Sequence, residues 1–155
     1  MSTSEVTVRV IDAQPILYIR RDVVPTQLQA FYSECFQKLF GYGMQKGLAI
    51  AGNPMARYIR TGLGIWTVDA VLPLNEPAAG EGEMEAGFLH GGAVAVATHG
   101  GTYESLPETH AVIESWVRNN GHQVLGENWE WYITDPGQHP DPADWKTEVY
   151  WPLAE

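Results

Sequence analysis

Glu130 lies within Trp129-Glu130-Trp131-Tyr132-Ile133-Thr134, the stretch of this chain whose residue types best fit chemistry. Strand alternation places Trp129, Trp131 and Ile133 on one face and Glu130, Tyr132 and Thr134 on the other. The segment near the C-terminus behaves likewise, with Thr147, Val149 and Trp151 opposing Glu148 and Tyr150. Each segment therefore sets an acid two residues from a tyrosine on one face. A carboxylate among aromatic rings suits a desolvated organic cation: each ring contributes roughly 0.5–2 kcal/mol and the acid supplies the counter-charge. The same carboxylate can serve as a general acid or base. These residues thus fit a binder or a hydrolase, and the plain alternation of a one-sided strand accounts for them as well.

Other reactive side chains form no motif. His90, His99, His110, His122 and His139 are dispersed, and no serine occupies a Gly-x-Ser-x-Gly turn. Gly41-Tyr-Gly-Met-Gln-Lys-Gly47 closes a helix, whereas a phosphate loop opens one. Asp69 reads as structural, because Ile65, Thr67 and Val71 share its face. Cys35, the single cysteine, falls on an apolar helical stripe as a small hydrophobe, and no Cys/His spacing calls for a metal. No cofactor is expected.

Nineteen Asp and Glu against nine Lys and Arg give a formal charge of −10, the wrong sign for neutralising phosphates, so direct nucleic-acid binding is not expected. That charge favours a cationic ligand or a basic partner, or simply keeps the chain in solution. No apolar run is long enough to span a membrane and the first residues lack a secretion signal, so a cytoplasmic location is expected.

The elements that must position these groups alternate in type. Val6 to Ile11 reads as a half-buried strand, with Pro15 to Arg20 as its extension or partner. Pro25 opens a helix whose stripe is Leu28, Phe31, Tyr32, Cys35, Phe36 and Leu39, ending between Gly41 and Gly47. Extended pieces follow near Met55 to Arg60 and Ile65 to Leu72, then a mobile link through the Gly- and Glu-rich stretch to Glu85. A strand from Ala93 to Thr98 precedes a second helix, about Leu106 to Asn120, striped by Leu106, His110, Ile113, Trp116 and Val117. Strands at Trp129 to Thr134 and Thr147 to Trp151 close the chain.

Two blocks repeat in order. Gly47-Leu-Ala-Ile50-Ala-Gly52-Asn-Pro-Met-Ala-Arg-Tyr58 aligns with Gly121-His-Gln-Val124-Leu-Gly126-Glu-Asn-Trp-Glu-Trp-Tyr132 without a gap. Trp66-Thr-Val-Asp69-Ala-Val-Leu-Pro73-Leu74 aligns with Trp145-Lys-Thr-Glu148-Val-Tyr-Trp-Pro152-Leu153. The expectation is one domain over residues 1–155, with a first repeat at about 5–75, a linker at about 75–85 and a second repeat at about 85–155. A natural pocket lies along the axis of such a pair.

Gly101-Thr-Tyr103 opening the second helix, Gly121 and Gly126 before Glu130-Trp-Tyr132-Ile-Thr-Asp-Pro136, and the ending Trp145-Lys-Thr-Glu148-Val-Tyr-Trp-Pro152-Leu153 together resemble the GyrI-like small-molecule-binding domain, also the effector-binding domain of AraC- and MerR-type bacterial regulators. The resemblance implies an α+β fold: pseudo-duplicated βαββ units forming a curved antiparallel sheet, with two helices packed on one side. It implies an amphipathic, cationic or aromatic ligand in the groove between the repeats. Glu130 matches the family's cation-contacting glutamate, with Tyr103, Tyr132, Tyr150, Glu148 and, from the first repeat, Tyr58 or Trp66 as companions. No helix-turn-helix segment precedes the first strand, which departs from the regulator pattern.

Three functions follow as expectations. The leading one is a stand-alone ligand-binding domain that senses or sequesters such a compound. The second is a hydrolase of reactive small molecules using Glu130, as some relatives resemble hydrolases of strained cyclopropanes. The third is an inhibitor that meets a protein partner through its acidic surface.

Overall fold

A computed structural model describes residues 2–154 of the chain. Its elements are β1 (Ser2–Thr3), β2 (Thr7–Ile11), β3 (Gln14–Val23), α1 (Leu28–Gln45), β4 (Met55–Arg60), β5 (Trp66–Pro73), β6 (Glu85–Leu89), β7 (Gly92–Gly100), α2 (Leu106–Asn119), β8 (Asn128–Tyr132) and β9 (Lys146–Pro152). The class is α+β, and all strand pairs described below are antiparallel. None of the helices among the described residues is long and apolar enough to cross a membrane.

The chain divides into two compact units: an N-terminal unit of Ala13–His90, and a C-terminal unit of the residues up to Asp12 together with those from Gly91 onward. In the N-terminal unit β5 lies between β4 and β3, and β3 carries β6 on its other edge. In the C-terminal unit β9 lies between β8 and β7, and β7 carries β1 and β2 on its other edge. Each unit is thus strand–helix–strand–strand, with one further edge strand in the N-terminal unit and two in the C-terminal unit.

The backbone repeats the alignment bond for bond. Gly47 and Gly121 take left-handed φ of 65° and 75° just beyond their helices, where only glycine is unstrained. After each glycine, Leu48 N–H donates to Gly43 O at 2.9 Å and His122 N–H to Val117 O at 3.0 Å. Ala51 N–H donates to Pro73 O and Leu125 N–H to Pro152 O, both at 2.9 Å. Isolated bridges join Ile50 to Leu74 and Val124 to Leu153. Every one of these pairs is a pair of aligned residues.

Each helix covers one face of the strands of its own unit. α1 buries Phe31, Cys35, Leu39 and Gly43, and α2 buries Leu106, Thr109, Ile113 and Val117. The shared four-residue step is what a helix needs to keep one stripe on a sheet. Opposite α1 lie Leu17, Ile19, Val68, Ala70 and Leu72; opposite α2 lie Ala95, Ala97 and Val149. Fully burying one such aliphatic side chain stabilises by roughly 1.5–3 kcal/mol. Glycine interrupts α1 without ending it, because a Cβ on Gly43 would stand 3.1 Å from Leu72 and 3.2 Å from Ile50.

Two segments differ from their expected places. β2 does not pair with β3, whose edges are occupied by β5 and β6; it pairs with β7 in register Arg9↔Val94 and joins the C-terminal unit. The segment expected as a mobile link is packed on the N-terminal unit. Ala78 and Met84 lie against its core, Tyr42 Oη donates to Ala79 O, and Glu83 meets Arg21 and Lys38 at 3.1 Å each. It runs into β6, a strand that pairs with β3. Seen along the chain, each repeat begins with a strand, β2 or β6, that pairs with the first strand of the other repeat's βαββ motif.

Candidate functional site

Strand register sorts the candidate residues. On β8 and β9 the facing pairs are Trp129↔Tyr150, Glu130↔Val149, Trp131↔Glu148 and Tyr132↔Thr147. Val149 belongs to the core under α2, so Glu130, Tyr132, Thr147 and Trp151 share the α2 face. Trp129, Trp131, Glu148 and Tyr150 occupy the reverse face.

Glu130 is 4% exposed. Its Oε2 lies 2.7 Å from His110 Nε2, and its Oε1 accepts from Tyr132 Oη at 2.8 Å. Trp151 Nε1 meets His110 Nδ1 at 3.0 Å. An indole N–H can only donate, so His110 Nδ1 must accept, and the ring presents its Nε2–H to the carboxylate. The result is a line from Trp151 through His110 to Glu130, joined from the other side by Tyr132. Position decides these partners: β8 and β9 lay Glu130 and Trp151 under α2, where His110 stands one turn before the buried Ile113.

Aromatic rings line the same end. Tyr103, half-buried in the turn before α2, sits 5.4 Å from the Tyr132 ring and stacks on Trp145 at 5.1 Å. Burial pushes the Tyr103 phenol above its ordinary range, and the carboxylates of Asp135 and Glu130 push the same way. Thr147, fully buried and paired across the strands with Tyr132, has no hydrogen-bond partner for its Oγ1 among the described residues. Such a hydroxyl costs about 1–3 kcal/mol when nothing meets it.

The remaining expected residues lie elsewhere. On the reverse face Tyr150 Oη donates to Glu148 Oε1 at 2.7 Å and its ring stacks on Trp129 at 5.8 Å, while Arg9 approaches Glu148 at 3.7 Å. Burial and then the Glu148 bond drive the Tyr150 phenol strongly upward. Tyr58 and Trp66 belong to the N-terminal unit, where they meet edge to face at 6.0 Å and pack on the core under α1. Glu130, Tyr132 and Tyr103 are therefore together, and Glu148 with Tyr150 forms a separate pair.

Sequence reasoning passed over His110, Trp145 and Trp151 as site residues. The available signal was a histidine inside the otherwise apolar stripe of Leu106, Ile113 and Val117. His99, also buried, is engaged in structure: Nδ1 meets Thr109 Oγ1 at 2.8 Å and Nε2 meets Thr102 O at 2.9 Å. Because a carbonyl only accepts, Nε2 carries a hydrogen there and cannot act as a base toward Ser105. Asp69, fully buried, is held by Arg20 and Arg57, each at 2.8 Å. No group of three or more potential metal ligands is assembled among the described residues.

A family model described as a GyrI-like small molecule binding domain matches residues 4–154. No curated protein matches the chain by sequence. Among solved structures, the EcmrR C-terminal domain is 19% identical with a TM-score of 0.81, covering 97% of this chain and 98% of that one. In the EcmrR–DNA complex, at the same 19% identity and a TM-score of 0.84, 97% of this chain is covered but only 57% of the longer EcmrR chain. SAV2435 bound to tetraphenylphosphonium is 11% identical with a TM-score of 0.71, over 97% of this chain and 94% of that one. A hydrolase from Listeria innocua is 13% identical with a TM-score of 0.69, over 97% and 92%. At these identities the likeness is one of fold.

Proposed function

The chain belongs to the GyrI-like small-molecule-binding domain family, and from that premise we propose that it binds an amphipathic organic cation, with Glu130 as counter-charge, in order to sense or sequester it. The observation that carries this reading is a carboxylate 4% exposed whose oxygens meet an imidazole and a phenol. Those two partners orient the acid. A cation at about 4 Å would gain roughly 4 kcal/mol at an effective dielectric near 20. Tyr132, bonded to the carboxylate, and Tyr103 against it supply rings at the same end, and a ring face over a cation adds roughly 0.5–2 kcal/mol. The binding of tetraphenylphosphonium by SAV2435 supports the choice of ligand class.

A thermal-shift panel tests it. Cationic aromatic compounds are expected to raise Tm in a concentration-dependent way, since a ligand selective for the folded state stabilises it. Neutral aromatics of similar size should do so far less. Equal shifts from both groups would remove the carboxylate from the account.

A second reading, hydrolysis of a reactive small molecule, draws on the same short bond: a carboxylate aligned by a tautomer-fixed histidine can activate water. Turnover of a strained electrophile, lost in Glu130→Gln with the fold intact, would establish it. Failure to turn over any member of a panel that nevertheless binds leaves the binding role.

A further inference from the structure

The line Trp151–His110–Glu130 does more than bury polar atoms, and we propose that His110 is the positioning residue that aims Glu130 at a cationic ligand, with Trp151 fixing its tautomer, so that protonation of His110 switches ligand capture off. The proposal deepens the reading of Glu130 as counter-charge and rests on it.

Geometry sets the argument. In the arrangement seen, His110 donates from Nε2 to Oε2 at 2.7 Å while accepting from Trp151 at 3.0 Å. A second proton on the ring would have to sit on Nδ1, facing the indole N–H, and two donors cannot satisfy each other. Proton uptake therefore breaks the Trp151 bond. It also places a full positive charge against the Glu130 carboxylate, at the position a ligand's charge would use. A like charge within about 4–6 Å disfavours a second cation.

Several elements stand around the Trp151–His110–Glu130 line. β8 contributes Glu130 and Tyr132, and the turn before α2 contributes Tyr103 and the exposed Glu104. β7 contributes His99, whose Nε2 is committed to Thr102 O. β9 contributes Trp151, while its Glu148 sits on the reverse face beside Tyr150 and Lys146 is exposed. β1 supplies Thr3, uncharged, which meets Thr109 on α2. On α2 itself Glu114, four residues on, is exposed.

Tetraphenylphosphonium suits the test because its charge does not change with pH. Its Kd would be measured from about pH 8 to pH 5, the span in which imidazoles change charge, for the native chain, His110→Gln, His110→Phe and Glu130→Gln. Native affinity is expected to fall about tenfold or more as the pH drops. His110→Gln, whose amide can still donate to Glu130 but takes up no proton, should bind at pH 8 within a few-fold of native and stay flat. His110→Phe should be weak at every pH. In parallel, nitrogen NMR of the imidazole should report a hydrogen on Nε2 at pH 8, and the Trp151 indole N–H signal should move as His110 protonates.

A flat native profile, or the same slope in His110→Gln, overturns the role of His110 while leaving Glu130 as counter-charge, provided Glu130→Gln still weakens binding. Unchanged affinity in Glu130→Gln, or no binding at any pH, overturns the counter-charge reading and the inference with it. A hydrogen on Nδ1 at pH 8 contradicts the proposed tautomer whatever the ligand does.

Discussion

Both units bury a carboxylate, yet on opposite faces and with opposite company. In the N-terminal unit Asp69 looks away from α1 and takes Arg20 at 2.8 and 3.0 Å and Arg57 at 2.8 Å. In the C-terminal unit Glu130 looks toward α2 and meets an imidazole and a phenol. By the repeat alignment Glu130 stands where the first repeat has Ala56, His110 where it has Phe36, and Trp151 where it has Leu72. The frame is duplicated but the polar line is not. One repeat keeps a plain apolar core under its helix and places its ion pair on the other face; the second sets a carboxylate, an imidazole and a phenol under its helix. Conversely, Glu148, the counterpart of Asp69, is only partly buried and has Arg9 at 3.7 Å. A carboxylate set between two guanidiniums has a structural task, whereas the one beside an imidazole and a phenol is the one we propose meets a ligand's charge.

Asp69→Ala should produce the largest effect, a loss of about 3–5 kcal/mol in urea unfolding, because it removes the carboxylate paired with the buried Arg57. A loss under about 1 kcal/mol would show that the cluster is dispensable. Placing an acid at Ala56 comes next. That site is fully buried and faces Ala70 across the strands, so Ala56→Glu should destabilise by at least about 2 kcal/mol, where Glu130 is tolerated. Equal tolerance would erase the contrast between the repeats.

Smaller changes sharpen the packing side. Gly41→Ala has open space around its Cβ and should stabilise α1 by about 0.5–1 kcal/mol, whereas Gly43→Ala would crowd Leu72 and Ile50 and should lose that gain or reverse it. Chemical denaturation of the two variants side by side reads the difference. The smallest effect is expected at alkaline pH. Tyr103 and Tyr150 are raised, first by burial and then by nearby carboxylates, so the folded state holds their protons after the unfolded state has released them. Their contribution is complete below about pH 10 and is lost as the pH rises further. Tyr150→Phe, the more strongly shifted of the two, should flatten that decline in a pH series of unfolding midpoints; an unchanged slope would count against it.

How legible this was depended on locality. The repeat, both helices and the βαββ order were visible because glycine, proline and aromatic spacing and a four-residue apolar step are local signals. β6 was not, since Glu85-Ala-Gly-Phe-Leu89 carries weak strand preference and Gly87 is there to clear the Tyr18 ring, 3.1 Å from where its Cβ would be. β2 was read as a strand but its partner was not, because pairing with β7 depends on which edges β5 and β6 leave open. At the site, the alternation that put Glu130 beside Tyr132 was readable. Its meeting with His110, from a helix twenty residues earlier, required the α2 face to be known.

The most direct test of the contrast between the two acids is the affinity of tetraphenylphosphonium for the native chain and for Glu130→Gln, measured by calorimetry at pH 8 with folding checked in parallel. A fall of at least about tenfold, the equivalent of roughly 1.4 kcal/mol, with the unfolding midpoint preserved, is the predicted result. Equal affinity in the two proteins would contradict it.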